Sequence, residues 1–505
     1  MLEKIRKISR IVRMGVIFLG AALGAAVFAK DAWQGVNLRH WQSPTGAQVF
    51  FVESRALPIL DVQLDFRAGS LVEPMDKAGV AELVRALMPM GAGDLDETAI
   101  ADRLADIGAK LSGGVEEDRA NLSLRTLSAP LACAVENSGD CSALRALGAL
   151  EKREAALEIF RQILAAPRFD AKIFQREQTR LIAQLKDDLT RPQFLASRAF
   201  AAALYPRHPY GRSATPESLA SITVEDARQF WKRHYAVSGT AGKPNGITLT
   251  MVGNLDVEEA RQIAEQLLAA LPVNRGEAVS LPPAPEAARQ GGAQFLDTAA
   301  DVDKPLEAEI RLPHPATQAH LYLGLPAIAR GDPDFFPLLV GNYILGGGGF
   351  ASRLMEEVRE RRGLAYSVYS AFSPRLQSGP FFIALETKKE QADEALALVR
   401  EVLRLFLEKG VSAKELDAAK SYLVGSFPLN LSSNRDILRQ VSTIGFYGLP
   451  LEYLRQYQAN IQAVTQEEIR AAFARHVPWD RLISVMVGAP GQREESALPD
   501  KARGE

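Results

Sequence analysis

The chain has 505 residues, of which 47% are hydrophobic and 24% are charged, with a formal net charge of −2 and a pI of about 6.4. This composition is typical of a globular protein that is long enough for two or more domains. Basic residues are scattered along the sequence instead of clustered, so the chain lacks the electrostatic footprint of a nucleic-acid-binding protein.

Residues 1–29 have the pattern of an export signal. Basic residues precede an apolar run over residues 16–28, and they are Lys4, Arg6, Lys7, Arg10 and Arg13. Small residues around Ala29 suit cleavage before Lys30, and the absence of a Cys there argues against a lipid anchor. The run is shorter than the roughly 20 residues of a spanning helix. We expect a periplasmic or otherwise exported protein without a membrane span; an uncleaved anchor is the alternative.

The only two cysteines, Cys133 and Cys141, lie in the segment APLACAVENSGDCSALRALG. In an oxidising compartment they could close a small loop, which in the chain-entropy model contributes roughly 2–3 kcal/mol. The even number of cysteines and the export signal support each other. The sequence therefore predicts a disulfide, with two reduced thiols as the alternative.

An internal repeat predicts the architecture. Residues 222–234 (ITVEDARQFWKRH) resemble residues 464–476 (VTQEEIRAAFARH), and each copy is followed by a β-rich run that ends in Val-Gly. Each copy opens with strand-like segments, VFFVES and ILDVQLDFRAGS in the first and AHLYLGLPA in the second, followed by a long helix. We predict an α+β fold of two homologous domains, each an antiparallel-rich sheet covered by helices on one face.

Composition places the predicted boundaries. We predict an N-terminal domain over residues 36–271, a linker over 272–305, a C-terminal domain over 306–490 and a disordered tail over 491–505. The linker is rich in Pro and Ala with little apolar periodicity, and the tail is polar and charged.

Residues 345–369, LGGGGFASRLMEEVRERRGLAYSVY, form the most specific motif of the chain. A phosphate-binding loop is not supported, because no Gly-Lys-Ser/Thr follows the glycines. The segment resembles the second-half signature of the pitrilysin/insulinase family (M16) of zinc peptidases, and RAGSLVEPMDKAGVAELVRALMPMGAG resembles the region around that family's zinc motif. The resemblance covers roughly residues 36–490 and implies the processing-peptidase-like metallohydrolase fold.

The zinc motif of that family, H-x-x-E-H, is degenerate here. The matching residues read Glu82-Leu83-Val84-Arg85-Ala86, and Gln184 stands where the resemblance implies a further Glu ligand. Ala86 offers no donor, and a guanidinium at Arg85 repels a divalent cation and cannot take a proton from water. The six histidines provide no pair three or four apart, and we expect His208 to have a packing or surface role. We expect no metal site and no cofactor in this chain.

The second half keeps the residues that the first half has lost. Arg359 and Tyr366 match an Arg/Tyr pair that, in the family, reaches from the second half toward the zinc cleft, where two donors can hold a substrate carbonyl and its oxyanion. We assign Arg359, Tyr366, Gly347, Gly348 and Phe350 to substrate binding, because bare glycine backbone lets a peptide approach closely. The alternative is that Arg359 is a solvated helix residue and Tyr366 a half-buried strand residue.

The resemblance implies that the peptidase can be divided between two chains. Our first hypothesis is a subunit that is inactive alone, pairs with a zinc-bearing M16-type sister chain and helps it to bind and cleave peptides or unfolded polypeptides. The zinc is then expected in the partner. A non-hydrolytic peptide-binding or scaffold protein and an independent peptidase with an atypical zinc site are the alternatives, and a homodimer stays open.

Overall fold

The computed structural model describes residues 37–128, 143–238, 246–274, 281–285 and 309–488. The predicted signal segment, both cysteines, most of the predicted linker and the whole of the predicted tail lie outside these residues. The domain boundaries, the disulfide and the cleavage of the signal therefore stay predictions.

The first half of the chain is built around a mixed sheet with the strand order β1-β2-β9-β3-β7-β6. The strands of this half are β1 (Leu38–Gln42), β2 (Gln48–Glu53), β3 (Ile59–Phe66), β4 (Gly91–Ala92), β5 (Leu95–Asp96), β6 (Lys110–Val115), β7 (Ala120–Leu127), β8 (Val237–Ser238), β9 (Thr248–Gly253) and β10 (Val273–Asn274). Strands β4 and β5 pair with each other, and so do β8 and β10. The β8/β10 pair joins the start of the predicted linker to the first half.

The second half forms a sheet with the order β11-β15-β12-β14-β13, from strands β11 (Glu309–Leu312), β12 (Gln318–Ile328), β13 (Ser367–Phe372), β14 (Gly379–Lys388) and β15 (Ile483–Val487). The order matches β2-β9-β3-β7-β6 strand for strand. In these two five-strand sets the pairs β2/β9 and β11/β15 are parallel and the other pairs are antiparallel. The prediction of two homologous α+β domains is confirmed.

Helices surround both sheets. Those of the first half are α1 (Val80–Leu87), α2 (Glu97–Ile107), α3 (Ala143–Ala165), α4 (Ala171–Asp188), α5 (Pro192–Leu204), α6 (Pro216–Ser221), α7 (Val224–His234) and α8 (Val257–Ala269). Those of the second half are α9 (Phe335–Asn342), α10 (Ala392–Lys409), α11 (Ala413–Ser426), α12 (Asn434–Tyr447), α13 (Tyr453–Ala463) and α14 (Gln466–His476). Short 3₁₀ helices cover Ser70–Val72, Pro209–Gly211, Gly349–Ala351, Lys389–Gln391, Phe427–Leu431 and Trp479–Arg481.

The repeated segments form equivalent helices, α7 and α14. Each begins at a threonine whose hydroxyl accepts a hydrogen bond from the third residue of the helix, while that residue's carboxylate accepts one from the threonine N–H. Such a reciprocal capping box satisfies two otherwise unpaired donors at the start of a helix. The repeat therefore conserves a helix start as well as an apolar face.

The prediction of a long helix after the opening strands is wrong. Helices α1 and α9 span eight residues each. Pro89 follows directly after the end of α1, and a proline cannot continue an α-helix. Helix α9 passes into a π-helical turn, Tyr343–Gly347, before the glycine run.

Each half also contributes a helix to the sheet of the other half, which the sequence did not predict. Helix α5 packs on β12 and β15, and α12 packs on β9, β3 and β2. At these contacts Gly445 lies so close to the sheet that a Cβ there would be 2.6 Å from Phe50, and the ring of Phe200 stacks 5.2 Å from that of Tyr322. Each half therefore keeps its own main core, and two smaller apolar clusters, one around Phe50 and one around Phe200, join the halves.

Buried polar residues also hold the two halves together where each half's helix packs on the other half's sheet. Asp65 is fully buried and 3.1 Å from Arg119, whose guanidinium also donates to the Ser442 hydroxyl of α12 at 3.1 Å. Burial raises the pKa of Asp65 to about 6, because the loss of solvation outweighs the attraction of Arg119. Asp118, which precedes Arg119, is also buried. It accepts hydrogen bonds from Tyr210 of the first half at 2.5 Å and from Tyr447 of the second half at 3.0 Å.

Candidate functional site

Helix α1 carries the degenerate zinc motif, and its start is tightly fixed. Gly79 has φ 99°, and a Cβ there would lie 2.5 Å from Leu219, so only glycine fits. The buried carboxylate of Glu73 accepts hydrogen bonds from the N–H groups of Gly79 at 3.0 Å and Ala81 at 2.9 Å. Burial raises the pKa of Glu73 above its ordinary value. The framework of the family's zinc helix is therefore retained.

The side chains on that framework do not fit zinc. Glu82 forms a 2.6 Å ion pair with Arg85, one helical turn further on, so its carboxylate is already neutralised. On α4, which packs against α1, Gln184 is exposed and its amide oxygen accepts a 3.3 Å hydrogen bond from Arg180. Ala86 offers no donor, the other ligand positions present one ion-paired carboxylate and one hydrogen-bonded amide, and Arg85 places a cation at the base position.

Sequence reasoning missed two buried residues near this helix. Glu177 of α4 lies between Arg176 and Arg180, at 2.9 and 2.7 Å. Burial raises its pKa, but the hydrogen bonds from the two arginines outweigh burial and leave the pKa below its usual value. Tyr235 is fully buried, and the charges of Arg85 and Glu82 act on its hydroxyl. The pattern Arg-Glu-x-x-Arg was the available signal for Glu177; nothing in the sequence marked Tyr235.

The glycine-rich segment of the second half begins inside the π-helical turn Tyr343–Gly347, and a second π-helical turn, Met355–Arg361, follows it. Such turns are rare and occur often at functional sites. A Cβ on Gly346 would lie 2.5 Å from the Ser370 N–H, and one on Gly348 would lie 2.6 Å from the Tyr343 carbonyl oxygen. Packing therefore requires these two glycines. Gly347 is exposed, and substrate contact at Gly347 and Gly348 stays a prediction.

Arg359, Phe350 and Tyr366 come together on the surface. The guanidinium carbon of Arg359 lies 5.0 Å from the ring centre of Phe350 and 5.6 Å from that of Tyr366. The side chains of Phe350 and Tyr366 are 70% and 78% exposed. Arg359 is thus held between two aromatic faces, an arrangement in which its N–H edges remain able to donate.

The contacts of Arg359 with neighbours on its own turn are weak. Its nearest polar atoms there are the Met355 sulfur at 3.9 Å and a Glu360 oxygen at 3.7 Å, beyond ordinary hydrogen-bond length. Tyr366 lies just before β13, where its N–H donates to the Glu386 carbonyl at 3.3 Å. The alternative of a half-buried strand tyrosine is wrong, because the chain turns at Tyr366 and leaves the ring in solvent.

The histidines have structural partners. His208 is buried, its Nε2 lies 2.6 Å from the Gln377 side chain, and burial lowers its pKa, so the predicted packing role is confirmed. Within the described part of the chain, one group of acids and a histidine could approach a cation: Asp332, Asp334 and His476. Arg475 already binds both oxygens of Asp334, at 2.7 and 2.8 Å, so Asp334 is engaged in an ion pair.

Comparisons with known proteins agree with this geometry. A model described as insulinase (peptidase family M16) matches residues 50–216, and one described as peptidase M16 inactive domain matches residues 221–423. A crystal structure of a peptidase M16 inactive domain from Pseudomonas fluorescens is 34% identical, with a TM-score of 0.77, over 90% of this chain and 99% of that chain. The chain belongs to peptidase family M16.

Two further similar proteins carry different descriptions. The non-peptidase homolog YmxG of Helicobacter pylori is 25% identical over 444 residues, which is 87% of this chain and 91% of that protein. The periplasmic protease PqqL from Escherichia coli shares the fold, with 17% identity and a TM-score of 0.70, and the match covers 90% of this chain but only 46% of PqqL. Among the described residues of the M16 chain, no helix has the length and apolarity to cross a bilayer.

We expect the purified chain to contain well under one zinc per molecule and to cleave no peptide alone, because Arg85 and Ala86 replace the base and a ligand. The matched control is the combined variant Glu82→His, Arg85→Glu, Ala86→His and Gln184→Glu, which supplies the family's ligand set on the same framework and should bind one zinc. Elemental analysis measures the zinc content of the natural chain and of the variant, and a peptidase assay measures cleavage. Stoichiometric zinc in the natural chain, with activity lost to a chelator and restored by zinc, would contradict this assignment.

Proposed function

We propose that this M16 chain is the non-catalytic subunit of an exported peptidase. It pairs with a zinc-bearing sister chain of the same family and supplies Arg359 and Tyr366 to peptide binding. The substrate class is a peptide or an unfolded polypeptide. The partner provides the zinc and the activated water.

The contrast between the two halves carries this proposal. In the first half Glu82 and Arg85 neutralise each other where the family has metal chemistry. In the second half Arg359 and Tyr366 face solvent together. Donors that hold a carbonyl or an oxyanion act strongly only in a site that excludes water. An exposed Arg/Tyr pair without a metal therefore calls for a second chain that covers it.

The length of PqqL supports a two-unit arrangement. The match to this chain covers 46% of the PqqL chain. Two units of this kind would therefore be about as long as PqqL. Arg359 and Tyr366 of this chain provide one side of the cleft between the two units. The sister chain provides the other.

The proposed pairing is tested by purification from cells that produce both chains. An affinity-tagged chain should retain an M16 protein that carries H-x-x-E-H, and the isolated complex should cleave an unfolded polypeptide. Recovery of a homodimer, or of a complex without such a chain, would contradict pairing with a zinc-bearing sister.

The description of the Helicobacter pylori relative as a non-peptidase homolog supports a second candidate, a peptide-binding or scaffold protein of the same fold. Both candidates use the surface at Arg359, but only the first requires hydrolysis by a complex. An independent zinc peptidase is the weakest candidate, because the Glu82–Arg85 ion pair occupies the only recognisable motif.

Export is the second part of the proposal, and it has its own test. The mature chain should begin at or near Lys30, and Cys133 and Cys141 should be joined in protein isolated from an oxidising compartment. Intact-mass spectrometry with and without reductant measures both features. Residues 1–29 still attached, or two thiols that alkylate without reductant, would refute the corresponding feature.

A further inference from the structure

A cavity of about 380 Å³ lies in the second half, between the segment that leads from β12 into α9 and helix α13. Pockets that bind small molecules typically have volumes of about 300–1,000 Å³. The residues that line this cavity do not include Arg359, Tyr366 or any residue of the degenerate zinc motif. The proposed peptidase function therefore leaves this cavity without a role.

Three aromatic rings form one wall of the cavity. The ring centres of Phe335 and Phe336 are 5.3 Å apart, and they lie 6.4 and 5.9 Å from that of Tyr453. Rings at these distances and angles support one another, so the wall is already formed without a ligand. It fits a flat or branched apolar group.

A cation that lacks an ion-pair partner among the described residues also lines the cavity. The guanidinium of Arg330 rests 5.2 Å from the ring centre of Tyr447, and the backbone N–H of Arg330 donates to the Arg375 carbonyl at 2.7 Å. Its Nε is buried and has no hydrogen-bond partner in the described part of the chain. A buried donor without a partner is costly. Protein acceptors among the described residues do not saturate this guanidinium, so an anionic ligand group beside it would supply the charge that it lacks.

An anion lines the same cavity. The Asp332 carboxylate accepts one hydrogen bond, from the Asp334 N–H at 2.8 Å, and the His476 Nε2 lies 3.7 Å from it but 3.0 Å from Asp334. No ion pair within 4.0 Å joins Asp332 to Arg330 in the described structure. Glu468 lines the cavity too, but its carboxylate caps α14 through the Thr465 N–H at 2.8 Å. One free carboxylate and one free guanidinium therefore share the cavity with the aromatic wall.

We propose that this cavity binds a free aromatic amino acid. Arg330 holds the α-carboxylate, Asp332 holds the α-ammonium group, and Phe335, Phe336 and Tyr453 enclose the side chain. A ligand with only one charge would leave either Arg330 or Asp332 without a partner, and charge-assisted hydrogen bonds are the strong ones in such sites. The site is separate from the surface at Arg359 and is independent of whether the chain pairs with a sister.

The test titrates the purified full chain with L-phenylalanine by calorimetry. We expect saturable binding with a Kd at or below about 1 mM. Two matched probes, 3-phenylpropionate without the ammonium group and phenethylamine without the carboxylate, should bind at least about tenfold more weakly. No saturable binding of L-phenylalanine up to about 10 mM, or equal binding of the three probes, would overturn the proposal.

Variants assign the two charges. Arg330→Gln should weaken L-phenylalanine by about tenfold or more and leave phenethylamine unchanged, whereas Asp332→Asn should weaken L-phenylalanine and leave 3-phenylpropionate unchanged. Arg359→Ala is the control and should alter none of the three. Thermal unfolding reports whether each variant folds. If a variant does not fold, the titrations of the natural chain with the three ligands test the proposal on their own. Unchanged binding of L-phenylalanine by both folded variants would contradict the assignment.

Discussion

Arg359→Ala and Tyr366→Phe are each expected to lower peptide turnover by the complex with the zinc-bearing sister by about 100- to 1,000-fold. Each substitution removes a donor that would stabilise the oxyanion, and that loss typically costs about 2.7–4 kcal/mol of transition-state stabilisation. Because the Tyr366 side chain is 78% exposed, its substitution should leave folding and thermal stability nearly unchanged. Steady-state kinetics of the reconstituted complex measure the effect.

Two arginines provide matched controls for this prediction. Arg361 lies on the same π-helical turn and forms 2.6 Å ion pairs with Glu356 and Glu357, so Arg361→Ala should change turnover little. Arg85→Ala should also have little effect, because that site is already silent. If both cleft substitutions keep the rate within about twofold of the natural complex, Arg359 and Tyr366 have only a structural role and the scaffold candidate is favoured.

Arg119→Ala is expected to lower the free energy of unfolding by about 3–5 kcal/mol. Asp65 would keep a fully buried carboxylate without its cation, and Ser442 of α12 would lose a 3.1 Å hydrogen bond. Since α12 belongs to the second half and packs on the first sheet, the loss should loosen the contact between the halves. Denaturant titration measures the change.

The effect of Arg119→Ala should shrink in acid. The folded pKa of Asp65 is above its ordinary value, and loss of Arg119 raises it further, so the cost of the buried charge is present at neutral pH. That extra cost is lost as the pH falls through about 6, because the folded Asp65 carboxyl is then neutral with or without Arg119. Adding Asp65→Asn should recover part of the loss. A loss that is equal at neutral and acid pH would contradict this role of Asp65.

Much of the fold could be predicted from the repeat. Equal spacing of threonine, acid and apolar positions predicts two equivalent helices, and both sheets follow with the same strand order. The exchange of α5 and α12 could not be predicted, because periodicity shows that a face is apolar but not which distant helix covers it. The strands that these helices cover gave no clear signal: β9 is buried on both faces, yet its sequence TLTMVG alternates Thr with apolar residues, which is the pattern of a strand with one solvated face.

The sequence predicted which residues belong to the candidate site but not how their side chains are arranged. The loss of zinc ligands follows from the identities of Arg85 and Ala86, and the Glu82–Arg85 ion pair follows from their spacing on one helical face. The stacking of Arg359 between Phe350 and Tyr366 depends on a π-helical turn, for which the sequence has no clear signal. The position of Tyr366 in solvent depends on the bend before β13.

The central claim is that this chain contributes binding groups to a zinc site that another chain carries. The most direct measurement is the rate of peptide cleavage by a fixed amount of the zinc-bearing sister as this chain is added. We predict negligible cleavage by either chain alone, a rate that rises with added chain and saturates at one equivalent, and complete loss of that rate with a zinc chelator. A rate that does not depend on this chain, or cleavage by this chain alone, would contradict the account.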